Sequence, residues 1–101
     1  MERLFQRFFS GFIKIHILHH AAKAPVYGLW LITELAHHGY RISPGTLYPI
    51  LHSLKEDGLL ESYTKIVEGK VRKYYKTTPK GKGMLRKAKF KIQELIDEVM
   101  G

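Results

Sequence analysis

The basic side chains of this sequence are concentrated in one segment, where their spacing suits the binding of phosphate groups. Ten of the 17 Lys and Arg residues fall between Lys70 and Lys91, and no acidic residue interrupts them. The whole chain carries a formal net charge of +8 and has a pI of about 9.8. Because the acids are kept apart from this segment, it differs from an ordinary solvated surface of mixed charge. The pattern indicates an anionic partner, with nucleic acid as the first candidate and an acidic membrane as the second.

The segment from Ser43 to Asp57 combines an apolar side with a slim polar side, as a helix that reads DNA bases does. Ser43 suits the N-cap and Pro44 the first helical position. The predicted buried side consists of Leu47, Ile50, Leu51 and Leu54. The predicted exposed side consists of Gly45, Thr46, Pro49, His52 and Ser53. Small side chains let a helix backbone approach base edges in the major groove, while hydroxyls and N-terminal amides bind phosphate.

The six histidines raise the question of a metal site. His16, His19 and His20 are spaced three and four residues apart, a pattern that suits zinc, nickel or copper when it lies on a helix. No Asp or Glu lies nearby in the sequence to orient these rings, and such a partner usually accompanies a metal ligand. We therefore expect histidines at the surface or an interface, and no metal. A metal-responsive sensor stays open as an alternative.

The sequence offers no set of residues for catalysis. It has no cysteine, which excludes thiolate chemistry, disulfides and cysteine-bound metal sites. No nucleophile–base pair or carboxylate pair stands out, and Gly81-Lys82-Gly83 lacks the rest of a phosphate-binding loop. No apolar run reaches the ~18–20 residues needed to cross a bilayer, and the Phe-rich N-terminus lacks the cleavage site of a signal peptide. We expect a cytoplasmic protein that is not an enzyme, carries no cofactor and does not bind a membrane.

These residues require a scaffold of helices with one β-hairpin. At 101 residues the chain is predicted to form one domain, residues 1–101, with a single modest core. Hydrophobic periodicity and Gly or Pro stops predict helices over residues 3–22, 26–38, 43–57 and 79–100. Residues 59–77 are rich in Tyr, Thr, Val and Ile on both sides of Glu68-Gly69-Lys70, which predicts a hairpin, or wing. The predicted fold is mainly α with a small β-hairpin, a winged helix-turn-helix with N- and C-terminal dimerisation helices.

The first and last helices carry more apolar residues than one small core can bury, which predicts a second subunit as their partner. The predicted dimer interface consists of Phe5, Phe8, Phe9, Phe12, Met84, Leu85, Ala88, Ile92, Leu95, Ile96 and Val99. The same apolar surface between subunits is also a candidate binding place for a small hydrophobic effector. Plain dimer core and effector pocket stay open as alternatives.

Three parts of the chain resemble the PadR family of bacterial transcriptional regulators. They are Ile42–Leu51 with Leu54 and Glu56–Leu60, then Val71–Lys76 with Thr78–Gly81, and Tyr27-Gly28 with Ile32 and Glu34-Leu35. The resemblance implies a homodimeric repressor that binds an inverted repeat, with the recognition helix in the first part and the wing in the second. It further implies DNA contacts from Tyr27, Ser43, Thr46, Tyr48, Arg72 and Lys73. Leu29 and Trp30 depart from the family pattern, in which an aromatic residue and then Glu follow Tyr-Gly.

The residue pattern and the resemblance together predict a dimeric, sequence-specific regulator of transcription that binds double-stranded DNA. The predicted DNA-contacting residues are Tyr27, Ser43, Thr46, Tyr48, Pro49, His52, Ser53, Lys70, Arg72, Lys73 and Lys76. Two alternatives remain from other classes of protein. One is a non-specific architectural or partner-binding module, and the other is the metal-responsive sensor that uses histidines of the first helix.

Overall fold

Four helices and a three-stranded antiparallel sheet make up the computed structural model, which describes residues 2–101. In chain order the elements are α1 (Glu2–Lys23), β1 (Val26–Tyr27), α2 (Gly28–His37), α3 (Pro44–Glu56), β2 (Leu60–Val67), β3 (Lys70–Thr77) and α4 (Pro79–Met100). The mainly helical composition with a β-hairpin agrees with the predicted fold class. The sheet has one strand more than the sequence analysis predicts.

The additional strand, β1, replaces the predicted start of the second helix. The sequence predicts a helix over residues 26–38, but Val26 and Tyr27 are extended and the helix begins at Gly28. Val26 pairs with Tyr75, and Tyr27 pairs with Tyr74, along the edge of β3. The partner strand lies almost 50 residues further along the chain. Local periodicity therefore carries no signal for a strand of two residues.

The strands β2 and β3 form the wing. They pair over eight residues each, from Leu60 opposite Thr77 at the base to Val67 opposite Lys70 at the tip. The tip turns on Glu68 and Gly69, whose φ angles of 52° and 77° fit the two central residues of a type I′ hairpin turn. The sheet order is β1-β3-β2, so the basic strand β3 lies in the middle, paired with β2 along its length and with β1 at Tyr74 and Tyr75 only.

The core lies where α1, α2, α3 and the base of the wing meet. Six large side chains are fully buried: Ile17, Leu31, Leu35, Leu47, Leu51 and Leu60. Three of the four residues predicted for the buried side of α3 are buried, and Ile50 packs against them half-buried. This packing fixes which side of α3 faces outward.

A close joint at Gly81 holds α4 against the base of the wing. Gly81 is buried, and a Cβ atom at this position would overlap the backbone carbonyl oxygen of Leu59. The Thr78 hydroxyl donates a hydrogen bond to the carbonyl oxygen of Gly58 at 2.6 Å. The hydroxyl oxygen of Thr78 also accepts a hydrogen bond from the Gly81 amide at 3.0 Å, which caps α4. The direction of α4 is therefore set by backbone contacts.

The helices α1 and α4 are the longest elements of the described chain, with 22 residues each. From residue 93 onward every residue of α4 is exposed, and the molecule is elongated, with extents of 53 × 29 × 23 Å. Among the helices of residues 2–101, none combines the length and the apolar character that a membrane span requires.

Candidate nucleic-acid interface

The predicted base-reading side of α3 faces solvent. Leu47 and Leu51 are fully buried on one side of this helix, so the opposite side points outward. The exposed residues at its start and along that side are Ser43, Thr46, Tyr48, Pro49, His52 and Ser53. Most of them are small, so the helix backbone can approach the floor of a major groove.

The N-terminus of α3 is open to an anion. Ser43 occupies the N-cap position, but its side chain makes no hydrogen bond to a backbone amide of the helix. Its hydroxyl instead donates to the hydroxyl of Thr46, 3.4 Å away. The first N–H groups of a helix lack partners within it and form the positive end of the helix dipole. These amides, together with the two hydroxyls, can bind a phosphate oxygen.

Pro49 lies inside α3 without interrupting it. A proline at this position leaves the carbonyl group four residues earlier, that of Gly45, without its helical partner. Gly45 is exposed, so water can satisfy this carbonyl. The exposed side of α3 thus tolerates a proline that its buried side would not.

Tyr48 packs across the start of α2. A Cβ atom on Gly28 would overlap the hydroxyl and the ring of Tyr48, so the contact needs a glycine. Gly28 is buried, while Tyr48 keeps 47% of its surface exposed. The Tyr27-Gly28 pair therefore holds a side chain of α3 beside the first turn of α2.

Arg72 and Lys73 point to opposite faces of the wing, which divides the basic patch that the sequence predicts. Side chains alternate between the two faces along a strand. Lys73 lies on the side of α3, where it lines a depression with Tyr48 and its Nζ is 5.7 Å from the ring centroid of Tyr75. Arg72 lies on the outer face, where its Cζ is 4.1 Å from the ring centroid of Tyr27.

A row of three tyrosines, which the sequence does not predict, crosses the outer face of the sheet. Tyr27 on β1 and Tyr63 on β2 each pair with Tyr74 on β3. The ring centroid of Tyr74 is 5.7 Å from that of Tyr27 and 5.5 Å from that of Tyr63. A side-chain hydrogen bond with Tyr74 raises the pKa of Arg72, and the Tyr27 ring attracts its cation. Arg72 thus packs beside this row. Only the strand register, which the sequence does not show, brings these rings together.

The remaining residues that are predicted to contact DNA are exposed, and two of them have acidic neighbours. Lys76 Nζ lies 3.7 Å from a carboxylate oxygen of Glu61 on the neighbouring strand. His52 Nε2 lies 3.4 Å from a carboxylate oxygen of Glu56 on the same helix. Exposed pairs of this kind are weak, so a phosphate can displace the acid. Lys70 is exposed at the tip of the wing.

The residues predicted for a dimer interface are largely exposed. On α1, Phe5, Phe8 and Phe9 keep between 46% and 53% of their surface exposed. On α4, the exposed members are Met84, Leu95, Ile96 and Val99. Phe12, Ala88 and Ile92 are half-buried. These apolar surfaces have no partner within the described chain that covers them.

Leu85 is a correction to the predicted interface. Its side chain is only 6% exposed and belongs to the chain's own hydrophobic core. The first turns of α4 pack on α1 and β3, so an apolar residue there is covered without a second subunit. The helical period that places Leu85 in the same stripe as Ile92 does not show where along α4 the core ends.

The histidines gather differently from the sequence prediction. His16 and His20 on α1 meet His38 at the end of α2, and His19 does not belong to this group. A carboxylate oxygen of Glu34 lies 3.0 Å from His38 Nε2 and 3.6 Å from His20 Nε2. The expectation that these rings lack an acidic neighbour is therefore wrong, because α2 brings Glu34 to them from outside the first helix.

The fold, the exposed side of α3 and the basic wing together have the form of a DNA-binding regulator, and comparison with known proteins identifies its family. Residues 17–87, more than half of the chain, match the transcriptional regulator PadR-like family. The chain belongs to the PadR-like family. This PadR-like protein is therefore a DNA-binding regulator of transcription and not an enzyme, as the sequence analysis predicts.

Individual relatives of the PadR-like protein agree with this assignment. Transcriptional regulator Rv3488 of Mycobacterium tuberculosis is 50% identical over 99 residues, which cover 98% of this chain and 90% of the relative. A PadR family regulator from Eggerthella lenta has a crystal structure with a TM-score of 0.82, 34% identity, and coverage of 97% of this chain and 87% of its own. A PadR-like regulator from Bacillus cereus has a crystal structure with a TM-score of 0.80 and 29% identity, which covers 93% of this chain and 96% of its own. The predicted winged-helix fold is confirmed.

Proposed function

We propose that this PadR-like protein is a homodimeric repressor that binds an inverted repeat in double-stranded DNA. One observation supports this above the others: α2, α3 and the wing line a single groove. Its lining includes Tyr27, Tyr48 and Lys70, and it also includes Arg72 and Lys73 because it runs along the edge of β3 that β1 leaves unpaired. In the proposed complex α3 enters the major groove and the wing lies along the flanking backbone. A twofold axis then places the second α3 about 34 Å away, one turn of DNA further on.

The proposed contacts divide into base reading and phosphate binding. Thr46, Pro49, His52 and Ser53 on the exposed side of α3 face the bases, and the Thr46 hydroxyl can also reach the phosphate that Ser43 binds. Phosphates are bound by Tyr27, Ser43, Tyr48, Lys70, Arg72, Lys73 and Lys76. Phosphate contacts fix the position of a protein on the duplex, whereas base contacts select the sequence. This division gives different expected results for substitutions on α3 and on the wing.

A second copy of this chain is the proposed partner of the exposed apolar surfaces of α1 and α4. Leu95 and Val99 are 56% and 68% exposed on the last turns of α4, which project from the body of the domain. Contiguous apolar surface of this kind is typical of an interface. Dimerisation through these helices also leaves α3 and the wing free for DNA.

We further propose that a small hydrophobic effector relieves the repression. The subunit interface is one candidate place for it. A second is a depression of about 450 Å³ lined by Trp30, Pro25, Val26 and Tyr27, beside the first turn of α2. An effector there would act on the same turn that holds Tyr48. Acting on DNA, the protein would work in the cytoplasm.

Selection of binding sites from a pool of random duplexes with the purified protein tests the proposed function. We expect enrichment of one inverted repeat whose half-sites are about one helical turn apart. Equal recovery of all sequences would instead identify a non-specific architectural module and contradict the proposal.

Removing the basic side chains of the wing is expected to weaken binding to every DNA sequence alike. Arg72→Ala and Lys73→Ala should each reduce the magnitude of the slope of log K against log salt concentration by about 1.8, because each removes one cation from a phosphate in both half-sites bound by the proposed dimer. Lys87→Ala is a matched control, because it removes one exposed charge from α4 rather than from the wing. Fluorescence anisotropy at several salt concentrations measures the slopes. Equal slopes for Arg72→Ala, Lys73→Ala and the unaltered protein would exclude these contacts.

Changing the exposed side of α3 is expected to alter sequence preference instead. Thr46→Val keeps the size of the side chain but removes the hydroxyl, and Ser53→Ala removes a hydroxyl seven residues further along the helix. Without one base contact, discrimination at one position of the site should fall by on the order of 10-fold. The salt slope should stay unchanged for Ser53→Ala, since that residue is assigned no phosphate. Binding-site selection with each variant measures the change, and an unaltered consensus in both would count against base reading by α3.

A further inference from the structure

Three histidine rings from two helices meet outside the proposed DNA-binding surface. His16 and His20 are one turn apart on α1, and His38 follows the last residue of α2. One ring nitrogen from each of the three histidines lies within 4.8 Å of the other two. The ring centroids of His16 and His38 are 4.5 Å apart, with an angle of 25° between the ring planes. Histidines that only face solvent have no reason to converge in this way.

The carboxylate of Glu34 lies beside two members of this cluster. Its Oε2 lies 3.0 Å from His38 Nε2 and 3.6 Å from His20 Nε2. His20 Nε2 is buried and has no hydrogen-bond partner among the described residues. A buried nitrogen without a partner costs free energy, and a ligand that binds to it would remove this cost. The unsatisfied atom thus points to a ligand that the cluster can accept.

We propose that His16, His20 and His38, together with Glu34, form a binding site for a divalent transition-metal ion such as Zn²⁺. Neutral imidazole nitrogens and carboxylate oxygens are ligands that zinc, cobalt, nickel and copper accept. Three histidines and one carboxylate supply four donors, the number that tetrahedral zinc requires. The site differs from the helix-1 cluster that the sequence suggests, because His38 and Glu34 of α2 replace His19.

The distances allow the site to close by small side-chain rotations. Zn–N bonds of about 2.0–2.1 Å in tetrahedral geometry place ligand atoms about 3.3 Å apart. The three ring nitrogens lie within 4.8 Å, so each must move by only about 1 Å. Burial lowers the pKa of His16 and His20, which favours the neutral rings that bind metal. The Glu34 carboxylate balances part of the ion's charge.

A bound ion would bridge α1 to the helix-turn-helix. His16 and His20 lie on the outer helix, while Glu34 lies on α2 and His38 directly after it, and α2 packs against the recognition helix α3. Because the four donors come from both sides of the α1–α2 contact, the ion would fix the relative position of these helices. The proposal concerns a second ligand and does not depend on sequence-specific binding of DNA.

The test is a titration of untagged protein with Co²⁺ and Zn²⁺, since a histidine tag would bind both. We expect one ion per chain, a cobalt spectrum with visible bands of four-coordinate geometry, and displacement of cobalt by zinc. Zn²⁺ competition against a chromophoric chelator then gives the affinity. The fluorescence of Trp30, the only tryptophan of the chain, is a probe of metal binding at this site, because its ring centroid is 5.5 Å from that of His20. Cu²⁺ bound at the site should quench its fluorescence at one equivalent.

Substitutions assign the ligands. His16→Ala and His38→Ala should each lower the zinc affinity by at least tenfold, and Glu34→Gln should lower it by a similar factor. His52→Ala is a matched control, because its side chain is exposed, lies on α3 and does not belong to the cluster. His38 is exposed, so its replacement should leave the fold intact, as circular dichroism can verify. Unchanged zinc affinity in His38→Ala, or equal losses in His52→Ala, would overturn the proposal.

Discussion

Replacing Leu95, Ile96 and Val99 with glutamine is expected to produce a monomer that binds a full inverted repeat at least 10²-fold more weakly. The three residues keep 56%, 45% and 68% of their surface exposed on the last turns of α4. In a dimer the second recognition helix binds at a high effective concentration, and linked sites of this kind gain about 10²–10⁴ in apparent affinity. Glutamine is a good helix former and adds no charge, so the loss reports on association rather than on helix formation or electrostatics.

The matched control is Phe90→Gln. Phe90 is 68% exposed on α4 but lies on the opposite face from the apolar stripe, at ~100° per residue. Analytical ultracentrifugation measures the oligomeric state, and anisotropy with full-site and half-site duplexes measures the affinity. The triple variant should bind a half-site as the unaltered protein does. A dimer that persists in the triple variant would show that another surface joins the subunits.

Gly81→Ala is expected to destabilise the fold by about 3 kcal/mol, the upper part of the range for forcing extra atoms into a packed interior. The added Cβ would overlap the carbonyl oxygen of Leu59, and it would also press on the side chain of Thr77. Backbone atoms cannot rotate away, so α4 itself must shift. For a domain of this size, this loss lowers the Tm by roughly 12–24 °C.

Gly83→Ala provides the comparison for this prediction. It lies on the same helix, and its Cβ would meet only a guanidinium nitrogen of Arg86 at 3.7 Å. Alanine in a helix interior is favoured over glycine by about 1 kcal/mol, so this variant should be slightly more stable. Urea unfolding at one fixed protein concentration measures both, because the proposed dimerisation would make stability depend on concentration. Equal midpoints for the two variants would show that the joint is not tightly packed.

The sequence predicts best those elements whose signals are local. The N-cap Ser43, the Pro44 that follows it and the apolar spacing around Leu47 and Leu51 lie within one turn or two of each other. They predict both the existence of α3 and the side that it exposes. The turn Glu68-Gly69 likewise marks the tip of the wing from adjacent residues alone.

Features that depend on distant pairing could not be predicted. The strand β1 exists because Val26 and Tyr27 find the edge of β3, and no local pattern distinguishes them from the first turn of a helix. The stacking of Arg72 on Tyr27 depends on this same pairing. Alternation along β3 indicates that Arg72 and Lys73 face opposite ways, but it does not show what each face meets.

The histidine cluster illustrates the same limit in three dimensions. Spacing along α1 correctly places His16 beside His20, and the same spacing wrongly includes His19. The other members, His38 and Glu34, come from α2 and its end, and the angle of α2 to α1 is decided by the packing of the core. Residues that converge from two helices need that angle before they can be recognised as one site.

Because α4 is held at Gly81, near its first turn, a small change of its angle there moves its far end by a much larger distance. The helix has 22 residues and is therefore about 33 Å long at ~1.5 Å per residue, and its fixed end lies at the base of the wing. A tilt of α4 by about 6° about that fixed end displaces its far end by about 3.4 Å, which equals the rise of one base pair along DNA. In the proposed dimer, the tightness of this joint would therefore help to fix the half-site spacing that the two recognition helices fit.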